Sequence, residues 1–106
     1  MFRIEDSNLY LTRGDTAYLS INFNTERDIE SLVLSVKKKV SDEEYVFQIT
    51  SIDNNKFIFE PKHTKDLDYG VYLYDIQLTT TLGEVFTIVE KSKLYIKEEV
   101  TRWIIQ

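Results

Sequence analysis

Apolar side chains return at every second position along most of this chain, and that period constrains the fold more than any other feature. In residues 16–23 the apolar set is Ala17, Leu19, Ile21 and Phe23. Leu32, Leu34 and Val36 repeat the pattern, as do Tyr45, Phe47 and Ile49, and then Tyr72, Tyr74, Ile76 and Leu78. A period of two puts alternate side chains on one face, so each stretch reads as a half-buried β-strand and not a helix. Shorter stretches at 9–11, 57–59 and 85–89 bring the expectation to seven main strands. Turn formers fall between them: Arg13-Gly14-Asp15, Asp53-Asn54-Asn55, and residues 79–83. Pro61 has no N–H for a ladder and closes the strand at 57–59. Glu90-Lys91-Ser92 breaks the alternation before 94–96 and reads as a bulge or bend. Residues 26–31 and 64–67 read as short helical turns, the second capped by Thr64 with Asp66 near its positive end. The expected architecture is all-β: one immunoglobulin-like antiparallel β-sandwich spanning residues 1–106, with 99–106 as a C-terminal docking tail.

The stretch "DYGVYLYDIQL", residues 68–78, carries the most local information. Immunoglobulin-type sandwiches have a tyrosine corner, in which a Tyr hydroxyl bonds back to upstream backbone two residues before a core cysteine. Asp68, Gly70 and Tyr72 match that spacing, and Tyr74 stands where the cysteine would be. The sequence assigns Asp68 to accepting backbone N–H bonds in the turn. Gly70 lets the chain enter the strand without a Cβ clash, and Tyr72 is the buried corner ring. The reading is structural, not catalytic.

The chain's 106 residues suit one domain able to bury a core without staples. With 42% hydrophobic and 29% charged residues, it is neither disordered nor built to cross a membrane as a helix. No apolar run approaches the ~18 residues such a helix needs. The start, "MFRIEDSNLY", shows no basic region followed by an apolar stretch, so no secretory signal is visible. There is no cysteine, which removes disulfides, thiol nucleophiles and Cys-based zinc sites. A net charge of −5 argues against nucleic acid as a partner. The one basic run, Lys37-Lys38-Lys39, is followed by Asp42, Glu43 and Glu44, which reads as a solvated hairpin end with opposite charges facing each other.

No catalytic constellation emerges. His63 is the single histidine, in a polar loop without an evident orienting partner. No serine lies in a Gly-x-Ser-x-Gly elbow, and Gly14, Gly70 and Gly83 are too isolated to form a phosphate loop. The paired carboxylates Asp66/Asp68, Glu43/Glu44 and Glu98/Glu99 lack the loop glycine and ligand spacing of a calcium site. Arg13-Gly14-Asp15 spells an integrin-binding tripeptide but reads as a turn. The expectation is a non-enzymatic protein with no catalytic residue, metal or cofactor. Two surfaces remain as candidates. Trp103, Ile104 and Ile105 form an apolar segment suited to self-packing, a partner or a second copy. Tyr10 and Tyr18 face outward by alternation and suggest a stacking platform for a carbohydrate or peptide.

Three segments carry a wider likeness: "LTRGDTAYLSI", "TKDLDYGVYLYDIQLT" and "GEVFTIVEKSKLYIKEEVT". Together they resemble small proteins encoded by phages and prophages of Gram-positive bacteria, over roughly residues 9–101. Those proteins pair an Arg-Gly-Asp-Thr turn with a Tyr-Gly-x-Tyr-x-Tyr-Asp-Ile-Gln-Leu strand and a Gly-Glu-x-x-Thr-Ile hairpin. In outline the chain is also similar to the N-terminal domain of phage baseplate upper proteins, a β-rich module that attaches a receptor-binding device to the virion. Baseplate proteins of that kind continue into long further regions, which points to a stand-alone module or minor virion component here. The resemblance implies a tail or baseplate protein, assembled in the bacterial cytoplasm, whose partners are other virion proteins or itself. It carries over no catalytic residue; the composition, not the resemblance, gives the expectation of no membrane partner.

Overall fold

Alternation becomes two sheets in the computed structural model, which describes residues 2–53 and 55–100. The elements are β1 (Phe2–Glu5), β2 (Asn8–Thr12), β3 (Ala17–Ser20), β4 (Ile29–Lys37), β5 (Phe47–Thr50), β6 (Lys56–Phe59), α1 (Pro61–Thr64), β7 (Gly70–Thr80) and β8 (Val85–Lys97). Six strands form one sheet in the order β1-β2-β8-β7-β4-β5; β3 and β6 form the other. The fold is an immunoglobulin-like β-sandwich of very unequal sheets. Leu9, Leu11, Leu32, Leu34, Val36, Ile76, Leu94 and Ile96 meet Ala17, Leu19, Phe57 and Phe59, and all are buried. Phe59 is wholly enclosed, edge-on to Phe47 at 6.2 Å and tilted against Phe2 at 5.8 Å. Burying one such side chain contributes about 1.5–3 kcal/mol.

Several expectations change. An eighth strand, β1, precedes the seven that the pattern shows. Its Ile4 is 52% exposed, so it leaves no clear one-faced signature. The loop to β2 is Asp6-Ser7, with φ of 50° and 70°, the left-handed pair that fits a two-residue hairpin to strand twist. The sandwich is mixed: β2 runs parallel to β8, from Leu9↔Leu94 to Thr12↔Lys97. No local turn joins these distant strands, so nothing in either segment dictates their direction.

Residues 26–31 are not helical; a bend at Glu26-Arg27 leads directly into β4, where Ile29 pairs with Thr80 of β7. The helical turn expected at 64–67 lies earlier, at α1. Pro61 opens it with its preset φ, and Thr64 ends it rather than capping it. At the 53–55 turn it is Asp53 that takes the left-handed conformation, with φ 55°. Asn54 lies outside the described residues.

The anticipated irregularity at 90–92 is real, and it has a twin. Tyr74 pairs with Ser92, Ile76 with Val89, and Gln77 with Thr87. At each of those two steps β8 advances one residue more than β7, so one strand of 13 residues carries two bulges.

Candidate functional site

One end of the sandwich is locked by polar contacts. The hydroxyl of Tyr72 donates to the main-chain carbonyl of Asp68 at 2.8 Å, and the ring is 5% exposed. This is a tyrosine corner, made through the carbonyl of Asp68; the Asp68 side chain is exposed. Burial pushes the Tyr72 hydroxyl up from its ordinary value, with the Asp68 charge adding to the rise. Gly70 has φ +137°, where a side chain would strain the backbone. Lys38 closes the corner from outside. Its Nζ donates to the Val71 carbonyl at 3.1 Å and sits 4.3 Å from the centre of the Tyr72 ring. Tyr74, in the cysteine's place, donates its hydroxyl to the Ser7 carbonyl and so ties the β1–β2 loop to β7. Burial raises its hydroxyl as well.

Arg13 fastens the same end. Its Nε donates to Glu99 Oε2 at 3.1 Å, one terminal nitrogen to the Leu67 carbonyl at 3.0 Å, and the other to the Tyr69 hydroxyl at 2.9 Å. Tyr69 in turn donates to Glu99 Oε1 at 2.7 Å. These contacts hold the Glu99 carboxyl down at about 2; the Tyr69 hydrogen bond is the largest cause, with the Arg13 bond and charge behind it. Arg13 itself is raised, first by its bond to Glu99. The next residue is fixed too: the Gly14 N–H donates to Thr64 Oγ1 at 2.8 Å, and Thr64 is wholly buried. The tripeptide 13–15 is therefore a locked turn. An Arg held by three acceptor groups is not presented to a receptor.

The remaining single residues are also absorbed by the fold. His63 Nδ1 accepts the Glu60 N–H at 2.9 Å, and its ring stacks on Phe47 at 5.0 Å. Burial lowers its pKa. An accepting Nδ1 belongs to a neutral ring, so His63 caps α1. The expected charge pairing across 37–44 takes another form. Lys37 Nζ donates to the Asp42 carbonyl at 2.6 Å, and the Lys39 N–H donates to Asp42 Oδ2 at 3.1 Å. Ion pairs among the described residues lie elsewhere, at Arg3–Glu5, Arg13–Glu99 and Arg27–Glu84. A depression of about 200 Å³ on the outer face of the large sheet is lined by Lys37, Tyr45 and Asp75, among others. Its volume is below the roughly 300 Å³ at which ligand pockets begin. Among the described residues no His, Asp and Glu cluster could hold a metal ion.

The two tyrosines suggested as a platform lie on different faces. Tyr10 alternates with buried Leu9 and Leu11, so it points out from the six-stranded sheet. Tyr18 alternates with Ala17 and Leu19, so it points out from the two-stranded sheet, 63% exposed. Tyr10 instead stacks on Tyr95 at 4.5 Å and 2°, with the Arg3 guanidinium 4.1 Å from its ring centre. Trp103, Ile104 and Ile105 lie outside the described residues.

The other end of the molecule is open, and the sequence does not announce it. β3 and β6 have four residues each, against 11 in β7 and 13 in β8. The small sheet is too short to cover the large one. Past its limit, Leu78, Phe86 and Ile88 of the β7–β8 hairpin face the irregular segment 23–27. Between them runs a groove of about 440 Å³, with Phe23, Leu78, Phe86 and Ile88 as its apolar lining. The groove borders an unpaired sheet edge. β2 pairs with β8 only from Leu94 onward, and the Asn8 side chain takes the Lys93 N–H at 3.0 Å. Residues 85–89 of β8 thus pair with β7 on one side and, among the described residues, with no strand on the other. Val85 and Phe86 are 57% and 42% exposed there.

No family model matches the chain, and no curated protein matches it either. Solved structures do share its shape. Fibronectin(III)-like modules of Clostridium thermocellum CbhA match at a TM-score of 0.55 and 9% identity, over 92% of this chain and 96% of theirs. CopC from Methylosinus trichosporium OB3b matches at a TM-score of 0.50 and 10% identity, over 89% of this chain and 87% of its own. At such identities the likeness concerns the fold alone. The chain is an immunoglobulin-like β-sandwich of fibronectin(III)-like shape, closed at its tyrosine corner and open along β8.

Proposed function

We propose that the protein is a non-enzymatic assembly module of a phage or prophage particle, a tail or baseplate component acting through protein–protein contacts. The observation that carries this reading is the open end: an unpaired apolar sheet edge beside an apolar groove. Soluble proteins ordinarily protect such edges with charge, proline or a covering element, and extended partners use exposed ones as templates. The resemblance of residues 9–101 to phage and prophage proteins supplies the setting. The described titratable groups support a non-catalytic role, since His63, Glu99, Arg13 and Tyr72 are each engaged in holding the fold. A glycan-stacking role has less support, because Tyr10 and Tyr18 occupy separate faces.

Particle composition tests the proposal. In host cells producing particles, a tagged copy should co-purify with tail or baseplate proteins, and mass spectrometry should find the chain in washed particles. Particles that lack it, together with a tagged copy that captures no virion protein, would overturn the reading.

A further inference from the structure

We infer that the open edge of β8 receives residues 101–106 of a second copy, which add as an extended strand and seat Trp103 in the groove beside Phe86. This rests on the assembly reading and names one partner for it. Three observations converge. Among the described residues the edge at 85–89 has a strand on one side only, and none of them supplies a ladder partner for its outward N–H and C=O groups. The groove is lined by Phe23, Leu78, Phe86 and Ile88, an apolar floor for an aromatic anchor. The segment 101–106, "TRWIIQ", supplies an aromatic and two β-branched side chains suited to a strand. With a period of two, Trp103 and Ile105 fall on one face and Arg102 and Ile104 on the other.

Reach decides that the contact is between copies. Phe86 pairs with Leu78 and Ile96 with Gly70 across the two bulges, so Phe86 lies about 30 Å from Lys97 at ~3.3 Å per residue. Trp103 lies six positions beyond Lys97 and can stand no more than ~21 Å from it. Trp103 therefore cannot stand beside Phe86 of its own copy, whereas that of a neighbour can. Each copy then offers one strand and one edge, so the contact is reciprocal in a closed dimer or head-to-tail in a longer array.

Sedimentation velocity over a concentration series reads the association. The full chain should associate. Removal of residues 101–106, Trp103→Ala, and Val85→Lys at the exposed edge should each weaken that association by at least about tenfold. Circular dichroism melts establish that each variant is folded. Because the chain has no cysteine, disulfide trapping gives an independent reading that does not need Val85→Lys to fold. A mixture of Arg102→Cys and Thr87→Cys copies should form a mixed disulfide dimer under mild oxidation. A full chain that stays monomeric and yields no mixed disulfide overturns the inference. So does association that survives removal of 101–106, which would mean that two β8 edges pair directly. Loss on truncation without any effect of Val85→Lys and without the mixed disulfide places the segment elsewhere and also overturns it. A monomeric chain that still co-purifies with virion proteins would leave the assembly reading standing while this inference fails.

Discussion

The two halves of β8 differ in pairing, not in chemical character. Residues 94–96 lie between β2 and β7, with Leu94 and Ile96 almost wholly buried. Residues 85–89 have comparable β-forming side chains but one neighbour, and three of them are exposed. The closed half also collects the polar locks: the Tyr72 corner, the Tyr74 tether and the Arg13–Tyr69–Glu99 network. The open half has the Arg27–Glu84 pair, Arg27 5.4 Å from the centre of the Phe86 ring, the Gln77–Thr87 side-chain bond, and the buried Thr80 hydroxyl, which accepts the Leu82 and Glu84 N–H groups. A strand therefore contributes to stability through what surrounds it more than through its own sequence.

The largest expected difference is between two truncations on this one strand. Leu94→Ala should cost about 2–5 kcal/mol, from lost transfer energy and the cavity left behind. Phe86→Ala, on a side chain 42% exposed in a groove, should cost less than half as much. Urea unfolding midpoints measure both, and equal losses would break the comparison. Next in size is the corner. Tyr72→Phe removes one hydroxyl that bonds a backbone carbonyl and should cost about 1 kcal/mol. If it lowered association and left the melting point unchanged, the corner would be a contact surface and not a lock.

The smallest effect is set by pH. Glu99 titrates near 2 in the folded chain, below its ordinary 4.5. A carboxyl with a depressed folded value contributes stability that is complete above the ordinary value and disappears as pH falls through the folded one. The difference in urea midpoint between the native chain and Glu99→Gln should therefore be largest above pH 4.5 and shrink towards pH 2. His63 is also lowered, so its contribution fades below 6.5. It does so in both proteins and cancels from the difference. A gap that does not change between those limits would remove Glu99 from the lock.

Much of the closed half was legible in the sequence. Leu9, Leu11, Ala17, Leu19, Leu32, Leu34, Val36, Tyr72, Tyr74, Ile76 and Leu78 are buried where the alternation placed them. The Asp68-x-Gly70-x-Tyr72 spacing located the corner, although the carbonyl of Asp68 does the accepting. Spacing along the chain records which face of a strand turns inward, because that face must be apolar to leave water. It also records sharp local turns, because few residues tolerate them. What alternation cannot record is a strand's neighbour. The parallel β2–β8 pair, the network joining Arg13 to Glu99, and the Thr64 oxygen under Gly14 link residues 50 to 86 positions apart. The open edge is of the same kind. Residues 85–89 read as an ordinary strand, and only the place where β2 stops pairing leaves them bare.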